Sequence, residues 1–337
     1  MKILVPITSS KDIELLNPKI YGTEFFCGYL PEWWIEKYND SQVKNGMLST
    51  PINNRNDRNA NVRSFVELKE IVKKADHYST DVFLVLNAKY YPDYIYKNMK
   101  RYIDEVLATG IKRMIVSDNG MIHYLNENYP EIKVSVSCLN QITNTMAAKF
   151  YSSFDTVDRI VFPRHMSAEE IEDIVRACPD TEFEYFIFSN KCLYDDGYCR
   201  GVHEFTPICK DLYYSDFYAK DGRIIEYKKY IELRTKEHEY SDWTRNELMV
   251  EKNNYCTANF ACSACSLLKL MQYRNVVSVK ISIRGHAIEE RVRQVQMAHE
   301  VIKAIEHGAS KERVQQLVCE LYGKENLCET GMSCMMV

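Results

Sequence analysis

Cys192, Cys199 and Cys209 fall within "SNKCLYDDGYCRGVHEFTPIC", residues 189–209, and Cys256, Cys262 and Cys265 fall within the later stretch "YCTANFACSAC". Thiolates are ligands for soft metals, and four that converge from two loops hold either a zinc ion or an iron–sulfur cluster. The chain carries 12 cysteines. In a reducing compartment, clustered cysteines point to metal binding or catalysis more often than to disulfides. Spacing separates the metals in part. Zinc knuckles use C-x₂₋₄-C pairs, and only Cys262 and Cys265 make one. The wider steps from Cys192 to Cys199 to Cys209 suit single ligands spread around a [4Fe–4S] cluster. Cluster, zinc and unligated thiols all stay open on spacing, with the cluster ahead. Cys27, Cys138 and Cys178 read as small core hydrophobes. Cys319, Cys328 and Cys334 lie in "VCELYGKENLCETGMSCMMV". They are surface thiols, or they sit on a tail folded back near the mouth; a second metal site is the least favoured reading.

Elements that would position these thiols are visible in the hydrophobic pattern. Short apolar runs at 2–8, 24–30, 81–88, 112–118, 133–138, 159–163, 183–188 and 276–283 read as eight strands. Helical spacing fills the gaps at 65–78, up to about 109, at 119–128, after Ser167 and at 286–307, and Ser167 with Glu170 makes a capping box. Strands of nearly continuous apolarity are covered on both faces. Eight of them alternating with helices predict a parallel (β/α)₈ barrel over 1–307 and a C-terminal helical tail over 308–337. An open doubly wound sheet is the alternative, but no Gly-x-Gly-x-x-Gly turn follows strand one. Residues 210–255 are charged and aromatic and too long for an ordinary loop. They read as an insertion over the C-terminal mouth, where barrel active sites form. The cysteine groups after strand seven and before strand eight would then meet at that mouth.

The composition sets limits. The chain has 337 residues, 46% hydrophobic and 27% charged, with a net charge of −4. That is a globular balance, with no overall basic field to draw nucleic acid. No apolar window approaches the length of a membrane span, and the N-terminal run is too short for a signal peptide. The expectation is a cytoplasmic protein with no membrane insertion.

Several other residues have chemistry available at the mouth. Arg164 and Arg284 end strands six and eight, where a planar guanidinium suits a carboxylate or phosphate. Lys280, inside strand eight, either anchors substrate or pairs with Glu184 on the neighbouring strand; Glu184 is itself an acid/base candidate. Asp118 is either an acid/base group or the N-cap of the next helix. His203 is a candidate proton donor. Asn87 closes strand three and can hydrogen-bond substrate. Arg55, Arg58 and Arg63 lie in "NNRNDRNANVR", either an anion-binding lid or a solvated loop.

Five ordered segments carry a resemblance. "RMIVSDNGMI", "SVSCLNQITN", "DRIVFPRHMSAEEI", "FEYFIFSNKCLYDDGYC" and "CSLLKLMQYRNVVSVKISIRG" resemble, in order, conserved segments of the peptidase U32 family. The likeness runs from about residue 2 to 307. It implies a [4Fe–4S] cluster on Cys192, Cys199, Cys209 and Cys265, with Cys262 and Cys256 as alternates for the fourth ligand. It also implies oxygen-independent hydroxylation of RNA, of a small aromatic precursor or of a peptide, with prephenate as an anionic co-substrate. The family's older label, a collagenase-like peptidase, is the rival activity. A cluster-binding partner subunit is a third reading, since some relatives work as heterodimers; pairing with another chain or a second copy is compatible with all three. The sequence departs from the family pattern at Phe188-Ser189, where the family has His-Gly, at Ile283 in place of Gly, at His165 in place of Glu, and around Cys209. It also lacks a His-Glu-x-x-His zinc site and a Gly-x-Ser-x-Gly elbow, so a redox reading is preferred to a peptidase.

Overall fold

The computed structural model describes residues 1–38, 52–55, 58–192, 197, 217–218, 224–225, 257–325, 327–329 and 333–335. Eight strands build the centre: β1 (Lys2–Pro6), β2 (Thr23–Tyr29), β3 (Val82–Leu86), β4 (Arg113–Val116), β5 (Lys133–Val136), β6 (Val157–Val161), β7 (Glu182–Cys192) and β8 (Val276–Ile281). Each pairs in parallel with the next, and β1 pairs with both β2 and β8. The sheet therefore closes into the expected (β/α)₈ barrel, and the open-sheet alternative is excluded.

Side-chain alternation divides two cores. Leu4, Phe26, Phe83, Val85 and Ile115 pack together as one cluster inside the barrel. Their strand neighbours Ile3, Val5, Phe25, Leu84 and Met114 join the larger core between sheet and helices. Burial on both faces is why the strands read as unbroken apolar runs. The helices follow from 3.6-residue spacing and caps. In α4 (Phe65–His77), Leu68, Ile71, Val72 and Ala75 face the sheet and Ser64 caps the start. In α8 (Ala168–Ala177), Ser167 and Glu170 form the capping box. The shorter helices α1 (Ser10–Leu15), α2 (Pro18–Tyr21) and α3 (Glu32–Tyr38) precede α4; α5 (Tyr96–Leu107), α6 (Asn119–Asn128) and α7 (Thr145–Ser152) lie between it and α8. Among the described residues no helix is long and apolar enough to cross a membrane.

Three features differ from the sequence pattern. First, β7 does not stop at residue 188 but continues through Cys192, because Thr257–Cys262 runs back antiparallel beside it. Ser189 and the polar residues after it interrupt the apolar run that marks a doubly covered strand, and the partner that supplies the ladder lies far away in sequence. Cys192 is thus the last residue of a strand rather than a loop residue. Second, Asn61–Val62 form a short strand beside Gly28 and Tyr29 of β2, inside the Asn/Arg-rich segment. Third, the tail returns. After α9 (Leu267–Leu270), β8 and α10 (Ile288–Glu306), α11 (Lys311–Tyr322) buries Val314 and Val318 in the main core, and Cys334 bridges to Cys262. Of the predicted 210–255 insertion, only Phe217–Tyr218 and Ile224–Ile225 are described, paired with each other.

Candidate active site at the barrel mouth

Midway through the barrel lies an ionic layer. Arg159, 1% exposed, reaches Glu24 (2.9 Å), Glu182 (2.9 Å) and Glu184 (3.2 Å). Lys280 donates to Glu184 at 2.7 Å and lies 4.6 Å from the Phe26 ring centre, while Lys2 reaches Glu24 at 2.6 Å. Three carboxylates thus meet three cations. Burial alone would raise the Glu24 carboxyl pKa, but Arg159 and then Lys2 outweigh it, and the net shift is downward. Glu184 and Lys280 are therefore partners of each other, and Arg159, which the sequence reading passed over, organises both. The signal that could have found it is a lone arginine in the apolar strand "RIVFP".

Above this layer, at the strands' C-terminal ends, the chemistry changes. Arg284, 4% exposed, donates from Nη2 to Asn53 Oδ1 at 2.9 Å, and its carbonyl accepts from Arg55 Nη1 at 2.8 Å. Asn53 Nδ2 donates to Asn61 Oδ1 at 2.9 Å, and Asn61 Nδ2 to the Arg55 carbonyl at 2.7 Å. Gly28 makes room for this cluster. A Cβ there would stand 2.0 Å from Asn61 Oδ1 and 2.8 Å from Arg284 Nη1. Asn87 accepts from the Asn54 amide at 3.0 Å, and Tyr91 donates to the Ile52 carbonyl. Residues 52–55 are in this way tied across the mouth, and Asn87 is one of the ties. Arg164 donates to Ser189 at 3.3 Å, and Ser189 meets Ser282 of the strand-eight end. His286 follows Arg284 by two residues. Burial, then the nearby Arg55 charge, lowers its pKa below the ordinary imidazole value, so it is neutral at pH 7. Gly28, Asn53, Asn61, Ser189, Ser282 and His286 were missed because nothing in a single sequence marks which small polar residues share a rim.

Asp118 is an N-cap. It accepts from the Met121 amide at 2.7 Å and the Tyr91 amide at 3.3 Å. Burial nevertheless raises its pKa above the ordinary aspartate value. The side chains of Arg58 and Cys192, and all of Cys199, His203, Cys209 and Cys256, lie outside the described residues.

Two observations concern the ends of the cysteine-bearing stretches that are described. Gly197, between Cys192 and Cys199, lies against the mouth: its carbonyl accepts from Lys89 at 3.0 Å, and a Cβ on it would be 2.1 Å from Gln141. Thr257 pairs with Cys192, whereas Cys262 pairs with Phe188. At ~3.3 Å per residue, Cys262 is about 13 Å short of Cys192 along the strand. Cys265 lies past Cys262, where Cys262, Cys265, Cys328 and Cys334 line one small cavity.

A model of peptidase family U32 matches residues 49–331. The chain belongs to that family. It is 31% identical over 103 residues to tRNA hydroxylation protein P of Escherichia coli K12, covering 31% of this chain and 22% of that protein. It is 30% identical over 146 residues to an uncharacterized protease of Methanocaldococcus jannaschii, covering 42% and 35%. With tRNA hydroxylation protein P of Helicobacter pylori it shares 24% over 188 residues, covering 56% and 42%. The alignments thus span less than half the length of these curated relatives. A solved U32 peptidase, Mk0906, superposes with a TM-score of 0.39 at 13% identity, covering 56% of this chain and 69% of that one.

Proposed function

We propose that this U32 protein is a [4Fe–4S] enzyme that hydroxylates RNA without molecular oxygen, using an anionic co-substrate of the prephenate type. The observation that carries the reading is the position of Gly197. This one described residue between Cys192 and Cys199 lies against the same mouth that holds Arg284, Arg55, Arg164 and His286. Two relatives named for tRNA hydroxylation support RNA as the substrate class.

The donor set fits a cluster. Cys192, Cys199 and Cys209 would supply three thiolates, and Cys265, with Cys262 and Cys256 as alternates, the fourth. When bound, the cluster supplies one-electron redox chemistry at the rim. The protein's own part is recognition. Arg284 offers a rigid fork to a carboxylate in a water-poor pocket, where such a contact contributes about 1.5–3 kcal/mol. Arg164 and Arg55 add positive charge at the same rim, which residues 52–55 cross.

The test is anaerobic purification with iron and sulfide analysis, followed by mass spectrometry of RNA from cells with and without the protein. The expected result is about four irons per chain and an RNA nucleoside one oxygen heavier only in the presence of the protein. Folded protein without iron, or unchanged RNA, would overturn the reading.

A further inference from the structure

The barrel interior has a second apolar cluster, on the side away from β1–β4. Arg159 of β6 and Glu184 of β7 face the barrel axis, since they meet each other and Glu24 across it. Val161 and Phe186 follow them by two residues on the same strands, so they face the axis one layer nearer the mouth. Both pack with Ala261, with the partly exposed Cys138 and with Met335. Met335 comes from the tail, more than fifty residues beyond the last barrel strand. Its route is fixed by backbone geometry. At the end of α11 Gly323 takes a φ of +78°, and the amides of Gly323 and Lys324 both donate to the Cys319 carbonyl, which reverses the chain. The Cys262 amide then donates to the Ser333 carbonyl at 2.6 Å, and the Met335 amide to the Cys262 carbonyl at 2.9 Å. Cys262 lies opposite Phe188, two residues mouthward of Phe186. Met335 therefore reaches Phe186 from the mouth side, and it is buried there. Arg164 stands beside the same ring. Its guanidinium carbon is 5.9 Å from the Phe186 ring centre, and its Nη1 donates to Ser189 at 3.3 Å.

We propose that Met335 is a specificity-determining residue of the mouth: with Val161 and Phe186 it forms an apolar wall that receives the ring of a cyclic carboxylate, while the rim arginines take the charge. The inference rests on reading the mouth as an anion site, and it adds which anions the mouth prefers. A carboxylate alone gains nothing from an apolar wall. A ring attached to it does, because each methylene-sized group taken out of water is worth about fourfold in affinity. Methionine suits the position. Its unbranched, polarizable thioether follows the face or edge of a ring and adapts to the ligand's shape. A side chain that only anchored the tail would change stability and leave the preference between ligands untouched.

Calorimetry on the full chain, as purified, separates these roles, with prephenate as the ring-bearing dicarboxylate and glutarate as the open-chain one. Wild type should bind prephenate at least tenfold more tightly than glutarate. Met335→Ala should weaken prephenate about tenfold and leave glutarate within twofold, and Met335→Leu, of similar volume, should restore most of the difference. Arg284→Met should weaken both ligands. Should Met335→Ala fail to fold, Phe186→Leu probes the same wall from the barrel side and must show the same selective loss. Four outcomes overturn the inference: wild type that binds neither ligand, wild type that does not prefer prephenate, a folded Met335→Ala that keeps the preference, or a Phe186→Leu that keeps it. Missing iron or unmodified RNA counts against the hydroxylase reading alone, because carboxylate binding is measured without turnover.

Discussion

The middle of the barrel and its mouth both bury arginine, and they treat it in opposite ways. Arg159 is closed off by Glu24, Glu182 and Glu184, with Lys280 and Lys2 completing the balance. The guanidinium of Arg284 instead donates to an asparagine oxygen, and its own carbonyl accepts from Arg55. A buried charge surrounded by opposite charge is structural and has nothing left to offer a ligand. Within three residues of Ile281, the barrel passes from a layer of carboxylates and cations to a rim where arginine meets asparagine and serine.

Substituting each arginine separates the two layers, and the largest effect is expected inside. Arg159→Met leaves three glutamates sharing two lysines, and it should cost about 3–5 kcal/mol of stability in chemical denaturation. A loss below about 1 kcal/mol would mean the layer is not the closed network described. Arg284→Met should leave stability within about 1 kcal/mol while weakening binding of a dicarboxylate co-substrate roughly 10–100-fold by calorimetry. Arg284→Lys should recover little of that, because the fork is lost with the guanidinium. Equal affinity for the dicarboxylate in all three proteins would remove Arg284 from the site. Gly28→Ala reaches the mouth by another route. Its Cβ would displace Asn61 and crowd Arg284, so binding should fall several-fold with a stability loss of about 1–3 kcal/mol. The smallest effect is in pH. Glu24 has a lowered pKa in the folded state. Its share of stability is therefore full above the ordinary glutamate value near ~4.3 and is lost as pH falls through the lower folded value. Glu24→Gln should flatten the acid limb of a stability profile; an unchanged limb would show that Arg159 does not hold this carboxylate ionised.

The barrel was legible because its cause is local. Strands covered on both faces must be apolar at every position, and Ser167 with Glu170 announces a helix start whatever surrounds it. Lys280 and Glu184 could be paired from strand order alone, and Asp118 carried its capping role in its spacing to Met121. What escaped was decided by distant segments. Cys192 lies on a strand because Thr257 is opposite it. Arg284 is held by Asn53, more than two hundred residues earlier. Cys328 and Cys334 sit near Cys262 because α11 docks and turns the chain back, and no spacing rule spans that return. Lone residues whose partners come from elsewhere in the chain are invisible to periodicity.

The closure of the barrel also has a kinetic side. Lys2, Ile3 and Leu4 of β1 pair with Ser278, Val279 and Lys280 of β8. During synthesis β1, the first of the eight barrel strands, has one of its two edges unmet until β8, the last of them, has emerged. Loop closure over that span is slow, and an exposed apolar strand edge invites pairing between molecules. Folding yield should therefore depend on how well β1 is shielded while it waits. Lys2 and Glu24, side by side on β1 and β2, place a charge pair at that end of the early sheet, where natural edges resist association.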